Sequence, residues 1–140
     1  MYVIDTNVAS ELMRPTPAAA VAKWSSERDA KELFLTAISE AELRYGIALL
    51  PPGQRKDRLK AAMNRWLDVG FDRRILPFDS SAAKHYSEIA SRRRRDGRPI
   101  SGADCQIAAI VRSRNAVLVT SNVRDFVEID IEIVDPWNSE

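Results

Sequence analysis

Five acidic residues stand where short apolar segments of the sequence give way to polar ones. Asp5 follows the apolar stretch YVI, Glu40 and Glu42 lie in AISEAEL, Asp104 lies in SGADCQIAAIV, and Asp125 lies in TSNVRDF. Carboxylates are the residue type that holds hard cations and moves protons in hydrolysis. We therefore asked which secondary structure elements could bring these residues together.

The apolar segments alternate between strand-like and helix-like patterns along the whole chain. This alternation predicts one α/β domain spanning residues 1–140, with a mainly parallel central sheet of four to five strands and helices on both faces. The predicted strands are 2–4, 33–36, 75–78, 116–120 and 131–134, and the predicted helices are 8–13, 17–26, 37–50, 54–69, 80–95 and 102–114.

In an open parallel sheet, ligands bind outside the carboxyl ends of the strands. The predicted sheet places the acids at these ends. Two carboxylates ~4 Å apart repel by roughly 4 kcal/mol at an effective dielectric constant near 20, so several in one cleft need a positive partner. Mg²⁺ or Mn²⁺ meets that need, since these ions prefer oxygen ligands and can activate water for phosphodiester hydrolysis.

Each acid also has a purely structural interpretation. Asp5 could be a strand-end residue ahead of a helix capped by Asn7, and Ser39 with Glu42 matches the S-x-x-E capping box. Asp104 in a first helical turn is favoured by the helix dipole, and Asp125 could simply belong to a turn. Local sequence leaves these alternatives open, whereas the shared position of the acids favours a common site.

Composition limits the remaining function classes. The net charge of +1 gives no global signal for nucleic acid, and the single histidine, His85, excludes mechanisms that need a histidine pair. The single cysteine, Cys105, cannot form an internal disulfide, which fits a reducing cytosol. No apolar run approaches the ~18 residues expected of a membrane span, so no membrane association is expected.

A local basic signal precedes the Asp104 segment in SRRRRDGR. It places Arg92–Arg95 and Arg98 where they could contact phosphates, although such a run is also typical of a solvated helix end. Arg44 follows Glu40 by four residues and could face the same cleft. No base-reading motif is present, so the sequence does not indicate which nucleic acid, if any, would be recognised.

The ordered segments VIDTNVASEL, AISEAELRYGIALL, RILPFD, SGADCQIAAIV, LVTSNVRDF and VDPWN resemble the PIN-domain family. The resemblance covers nearly the whole chain and is strongest to the VapC-type, FitB-like toxins of bacterial toxin–antitoxin pairs. It implies a magnesium-dependent endoribonuclease toxin in the cytoplasm, with Mn²⁺ as a possible substitute. It also implies an RNA substrate, a homodimer and a VapB-type antitoxin as partner.

The resemblance further implies roles for particular residues. Asp5 and Asp104 match the chief metal ligands, and Glu42, rather than Glu40, matches the glutamate that binds the metal or orients the attacking water. The sequence departs from the FitB-like pattern at Asn122, where a fourth acid is expected; Asp125, three residues later, is the remaining catalytic candidate. Asn7, Arg44 and Asn122 are the candidate substrate-binding residues.

Three other functions fit the sequence less well. A phosphatase with an aspartyl nucleophile usually carries a second aspartate two residues after the first, where this chain has Asn7. A Rossmann or P-loop nucleotide-binding domain is disfavoured because neither G-x-G-x-x-G nor G-K-[ST] occurs. A catalytically weak or idle PIN-like module that binds RNA or protein remains the alternative, because Asn122 replaces an acid.

Overall fold

The computed structural model describes residues 1–138 and contains an α/β domain, as the sequence predicted. The strands are β1 (Tyr2–Ile4), β2 (Leu33–Thr36), β3 (Ile75–Leu76), β4 (Val117–Val119) and β5 (Glu132–Val134). The α-helices are α1 (Thr6–Leu12), α2 (Ala19–Ser26), α3 (Ala37–Ala48), α4 (Gln54–Arg65), α5 (Ser80–Arg95) and α6 (Gly102–Ser113). Short helical turns cover Ala30–Glu32, Trp66–Gly70 and Val123–Phe126.

All paired strands are parallel, and their order in the sheet is β3-β2-β1-β4-β5. Tyr2 pairs with Leu33 on one side and with Val117 on the other, so β1 occupies the centre. The chain runs outward from β1 through β2 to β3, then crosses back to β4. The sheet order therefore reverses between β1 and β4, which is the position where α/β sheets form a ligand crevice at their carboxyl edge.

Side chains of alternate residues in a strand point to opposite faces of the sheet and pack into two separate cores, which explains why helices cover both faces. Val3 and Leu118 belong to the core shared with α5 and α6, whereas Ile4 and Val119 belong to the core shared with α1, α2 and α4. Helix α6 is almost wholly apolar from Ile107 to Val111 and is buried over that length. Within residues 1–138, no helix has the length and apolar character needed to cross a membrane.

Several predicted boundaries were wrong by one to four residues. Helix α1 begins at Thr6 rather than residue 8, because Asp5 caps it, and α2 begins at Ala19 rather than residue 17. Strand β3 ends at Leu76, because Pro77 has no N–H to continue the ladder. The predicted helix 54–69 is α-helical only to Arg65 and then widens into a π-helical turn.

Neither of the two caps that the purely structural interpretations offered is formed. Asp5, not Asn7, is the N-cap of α1, and Thr36, not Ser39, is the N-cap of α3, where its hydroxyl accepts a hydrogen bond from the Ser39 N–H at 3.0 Å. Glu42 consequently lies in the second turn of α3 and forms no capping box. The Glu42 side chain instead accepts a hydrogen bond from the Thr6 hydroxyl at the carboxyl edge of the sheet.

Candidate active site

Asp5 is the acid of the carboxyl edge with the most hydrogen bonds to its carboxylate among the described residues. Its backbone N–H donates to the Val119 carbonyl at 2.8 Å, so β1 remains paired with β4 up to the residue that carries the carboxylate. One carboxylate oxygen accepts the Thr6 N–H at 2.8 Å, and the other accepts the Thr120 hydroxyl at 2.8 Å and the Asn7 side-chain amide at 3.2 Å. The side chain is only 3% exposed and is thereby held in one orientation.

A second set of hydrogen bonds fixes the residues that hold Asp5. The Asn7 amide also donates to the Thr120 hydroxyl at 3.2 Å, while its carbonyl oxygen accepts the Ser121 N–H at 3.2 Å. The Asn122 N–H donates to the same Thr120 hydroxyl at 3.0 Å. Thr120 thus ties the end of β4 to the end of β1, and the Asn7 amide, a predicted substrate-binding group, donates to both Asp5 and Thr120.

Glu42 reaches the same edge from α3. The Thr6 hydroxyl donates to the Glu42 carboxylate at 2.7 Å and lies 2.9 Å from the buried Ser39 hydroxyl. Glu42 is exposed, so one side of its carboxylate is orientated by protein while the rest faces solvent. Such a group can accept a proton from water at the surface of the cleft.

Asp104 lies in the first turn of α6, whose N-cap is Ser101. Burial raises the pKa of Asp104 above its ordinary value, the Ser101 hydroxyl lowers it, and the negative charges of Asp125 and Glu42 raise it further. Asp104 therefore shares an electrostatic environment with both of those acids. The side chain is half-buried and borders the cleft.

The pKa of Asp5 is raised in the same way. Burial is the largest cause, the hydrogen bonds from Thr120 and Thr6 act in the opposite direction, and the charges of Asp104 and Glu42 add to the increase. The structure therefore brings Asp5, Glu42, Asp104 and Asp125 to one edge. Repulsion among them disfavours the fully ionised state unless a cation is present.

No basic side chain within residues 1–138 forms an ion pair with any of these four acids. The ion pairs of that region use other carboxylates, including Glu40, which pairs with Arg44 at 2.9 Å. Across the same residues, no three His, Cys, Asp or Glu side chains are arranged closely enough to enclose a metal ion. The oxygen donors nevertheless suit Mg²⁺, which commonly takes one or two carboxylates and completes its shell with water.

The predicted substrate-binding residues Arg44 and Asn122 have different surroundings. Arg44 donates to Glu40 at 2.9 Å and to the Asn64 side chain of α4 at 2.7 Å, so it joins α3 to α4 and makes no contact with Glu42 in the described structure. The Asn122 side chain is exposed next to Thr120. A cavity of about 530 Å³ lies elsewhere, among Glu88, Arg92, Arg93, Arg112, Glu128 and neighbouring residues, and includes none of the four acids.

Sequence reasoning missed one residue of the site and assigned other roles to two more. Thr120, which is fully buried, was not singled out, although it ends the most regular predicted strand and its position was a usable signal. Ser39, also fully buried, was considered only as part of a capping box, and Arg93 only as part of the arginine run. Arg93 is buried, whereas its neighbours in the arginine run are exposed. The buried positions Ala82, Ile89 and Arg93 fall at helical spacing on one stripe of α5, so the pattern was present in the sequence.

This geometry defines an acidic crevice at the switch point of a parallel α/β sheet, and the chain belongs to the PIN domain family, whose model matches residues 2–132. Among characterised relatives, the chain is 36% identical to toxin FitB of Neisseria gonorrhoeae, with 99% of each chain covered. It is 35% identical to plasmid stability protein StbB of Pseudomonas syringae pv. tomato, covering 99% of this chain and 100% of StbB. It is 33% identical to VapC ribonuclease Y4jK of Sinorhizobium fredii, with 98% of each covered.

Solved structures give the same result. A chain of the Neisseria gonorrhoeae FitAcB crystal structure superposes with a TM-score of 0.92 at 35% identity, covering 99% of this chain and 100% of that one. A chain of the FitAB complex bound to an IR36 DNA fragment gives a TM-score of 0.93 at 36% identity, with coverage of 100% and 98%. The resemblance to VapC-type, FitB-like proteins and the predicted fold class are confirmed.

Proposed function

We propose that this chain is a Mg²⁺-dependent endoribonuclease that acts as the toxin of a toxin–antitoxin pair in the cytoplasm. The observation that carries the proposal is the convergence of Asp5, Glu42, Asp104 and Asp125, two of which have pKa values raised partly by the charges of the others. Similarity to a protein named VapC ribonuclease and to a toxin supports the assignment.

In this proposal, Asp5 and Asp104 are the chief ligands of the cation. Asp5 is suited to that role because three donors hold its carboxylate in one orientation. When bound, Mg²⁺ would neutralise the acids, lower the pKa of a coordinated water and stabilise the charge that develops on the phosphodiester. Mn²⁺ offers similar chemistry with the same oxygen ligands.

Glu42 is the proposed acceptor of the proton from the attacking water. Its carboxylate faces solvent and is orientated by the Thr6 hydroxyl, so it can remove a proton without losing its position. In the hydrolysis, the water oxygen bonds to phosphorus, one water proton passes to Glu42, and the P–O bond to the leaving oxygen breaks as that oxygen gains a proton from solvent. Asp125 is the additional acid beside Asp104.

The partners of relatives suggest those of this chain. Structures of relatives contain FitAB and VapBC complexes, some bound to DNA. We propose a cognate VapB-type antitoxin and a homodimer for this chain as well. The exposed apolar side chains of Tyr45, Leu49 and Val69 are available for such contacts.

A test uses the purified chain, free of antitoxin, with a mixture of structured and unstructured RNAs and either Mg²⁺ or Mn²⁺. The proposal expects cleavage that EDTA stops and that Asp104→Asn abolishes. Asp57→Asn, which removes the same charge from an exposed position on α4, is the matched control and keeps full activity. Loss of activity in both variants would contradict the assignment of the acidic cleft as the active site.

The alternative is an idle PIN-like module that binds RNA or protein, and the presence of Asn122 in place of an acid favours it. A folded chain that binds RNA with a measurable Kd, but leaves it intact with either metal, would favour this alternative. Retained toxicity of Asp104→Asn in cells would do the same, because binding alone would then account for the effect.

A further inference from the structure

Arg93 is a buried cation that the proposed reaction does not use. It is 7% exposed, whereas Arg92, Arg94 and Arg95 on the same helix are exposed. Its guanidinium donates to three backbone carbonyls: that of Arg98 at 2.7 Å, that of Asp125 at 3.2 Å and that of Val127 at 3.4 Å. None of the ion pairs within residues 1–138 involves Arg93.

The first carbonyl belongs to the loop that leads into α6. Gly97 turns this loop with a φ of 70°, a conformation that favours glycine, and the Arg98 N–H returns a hydrogen bond to the Arg93 carbonyl at 2.9 Å. Arg93 and Arg98 are thus joined in both directions. Three residues later, Ser101 caps the helix that carries Asp104.

The other two carbonyls belong to the segment that carries Asp125. This segment is anchored in the core by Phe126, which is 1% exposed, so the Arg93 hydrogen bonds fix the backbone on both sides of that anchor. An exposed ion pair between Arg98 and Glu128, at 3.1 Å, joins the same two segments from outside. One buried side chain therefore connects the two segments that deliver Asp104 and Asp125.

A planar guanidinium suits this connection because its donors point in fixed directions. It can satisfy carbonyls from two separate segments at once, and hydrogen bonds from a charged donor are roughly twice as strong as those between neutral groups. Asp125 itself is exposed, and its own segment is a short helical turn of four residues. Its side chain can be held beside Asp104 only if that segment is held.

We propose that Arg93 is a positioning residue that fixes Asp125 beside Asp104, so that Asp125 supplies the fourth carboxylate of the cleft in place of Asn122. The inference rests on the proposed function, because it assumes that the cleft takes a divalent cation. Arg93 thus helps to build the acidic site, whereas the sequence had suggested phosphate contact for the arginine run. Arg93 acts through Asp125 and does not touch the cation.

The experiment measures Mn²⁺ binding to the purified chain by isothermal titration calorimetry, without RNA. Arg93→Met and Asp125→Asn are each expected to weaken Mn²⁺ binding by about tenfold, the scale typical of residues that orient metal ligands. The double variant is expected to bind no more weakly than either single variant, because both changes remove the same carboxylate from the site. Arg92→Met removes a neighbouring exposed arginine and is expected to bind as the unaltered chain does.

Circular dichroism establishes that each variant is folded. If Arg93→Met does not fold, Arg93→Lys replaces it, since lysine keeps the charge but cannot satisfy both segments; it is expected to bind Mn²⁺ with an intermediate Kd. Unchanged Mn²⁺ binding in the folded Arg93 variant would overturn the inference. So would a double variant weakened about a hundredfold, which would mean that the two residues act independently.

Failure of the underlying function has a different signature. If the unaltered chain binds no Mn²⁺, the cation site itself is wrong, and the role of Arg93 falls with it. If the unaltered chain binds Mn²⁺ while the Arg93 and Asp125 variants bind equally well, the cation site stands and only the positioning role is overturned.

Discussion

Replacing Thr120 by valine removes a single hydroxyl from the centre of the acidic site. The side chain is fully buried, and valine has nearly the same shape, so packing is preserved. The change deletes the hydrogen bond to the Asp5 carboxylate at 2.8 Å and the acceptor for the N–H of Asn122 at 3.0 Å. The Thr6 N–H and the Asn7 amide still bind Asp5 in the variant.

The expected cost can be estimated from these contacts. A hydrogen bond to a charged group contributes about 2 kcal/mol to the free energy of unfolding. Asn122 is exposed, so water replaces its lost acceptor at little cost. Thr120→Val should therefore lower the free energy of unfolding by about 2 kcal/mol and the Tm by about 8 °C for a domain of this size.

The change also acts on the titration of Asp5. The Thr120 hydroxyl is the strongest influence that lowers the pKa of Asp5, which burial already raises above 3.8, so the variant has a still higher pKa. An acid with a raised folded-state pKa loses stability as pH rises through that pKa and regains it as pH falls. The difference in stability between the unaltered chain and Thr120→Val should therefore shrink as pH falls through the raised pKa of Asp5.

Urea unfolding followed by circular dichroism, without divalent metal, measures both effects between neutral pH and about pH 4. Thr120→Ser is the matched control: it loses a buried methyl group, worth about 1 kcal/mol, but keeps the hydroxyl. Its difference from the unaltered chain should not depend on pH. A pH-independent loss in Thr120→Val, or a loss below about 0.5 kcal/mol, would refute the role given to this hydroxyl.

Three further predictions concern other residues. Asp104→Asn should raise the urea midpoint at neutral pH, because it removes a carboxylate whose pKa is raised by burial and by neighbouring acids. This gain in stability should vanish as pH falls towards 3.8, where the aspartate becomes protonated in the unaltered chain. An unchanged midpoint at neutral pH would contradict the prediction. Burial raises the pKa of the Cys105 thiol to about 11, so Ellman's reagent at pH 8 should modify the folded chain at least about a hundredfold more slowly than the urea-unfolded chain. Arg44→Ala should lower the free energy of unfolding in urea by about 1 kcal/mol, because the contacts with Glu40 and Asn64 are lost. The rate of RNA cleavage should stay within about twofold of that of the unaltered chain. A larger loss of cleavage would indicate that Arg44 contributes to the acidic cleft.

The sequence was sufficient to predict the strands and the class of fold. Buried apolar segments such as VLV of β4 are short and bounded by polar residues, and the alternation of their side chains between two cores follows from strand geometry alone. The π-helical turn at Trp66–Gly70 was missed because its amphipathic pattern continues that of α4. Packing, rather than local preference, decides where such a helix widens.

The candidate site was predicted in part. The acids could be placed at one edge because each follows a strand or begins a helix, and their catalytic roles remain predictions. The caps could not be predicted, because Asp, Thr, Asn and Ser have similar preferences for the N-cap. Asp5 takes that role because its N–H continues the ladder to Val119, a contact between residues far apart in the sequence.

The central position of β1 also determines when the acidic site can form. Asp5 is made before the hydroxyl that orientates it, which belongs to Thr120, 115 positions later, and β1 lacks one of its two neighbours until β4 has been made. A growing chain therefore carries Asp5 without a completed cleft until the residues of β4 and Thr120 have been added. The orientated Asp5 carboxylate therefore requires β4, and a nascent chain that ends before Thr120 lacks the hydroxyl that orientates it.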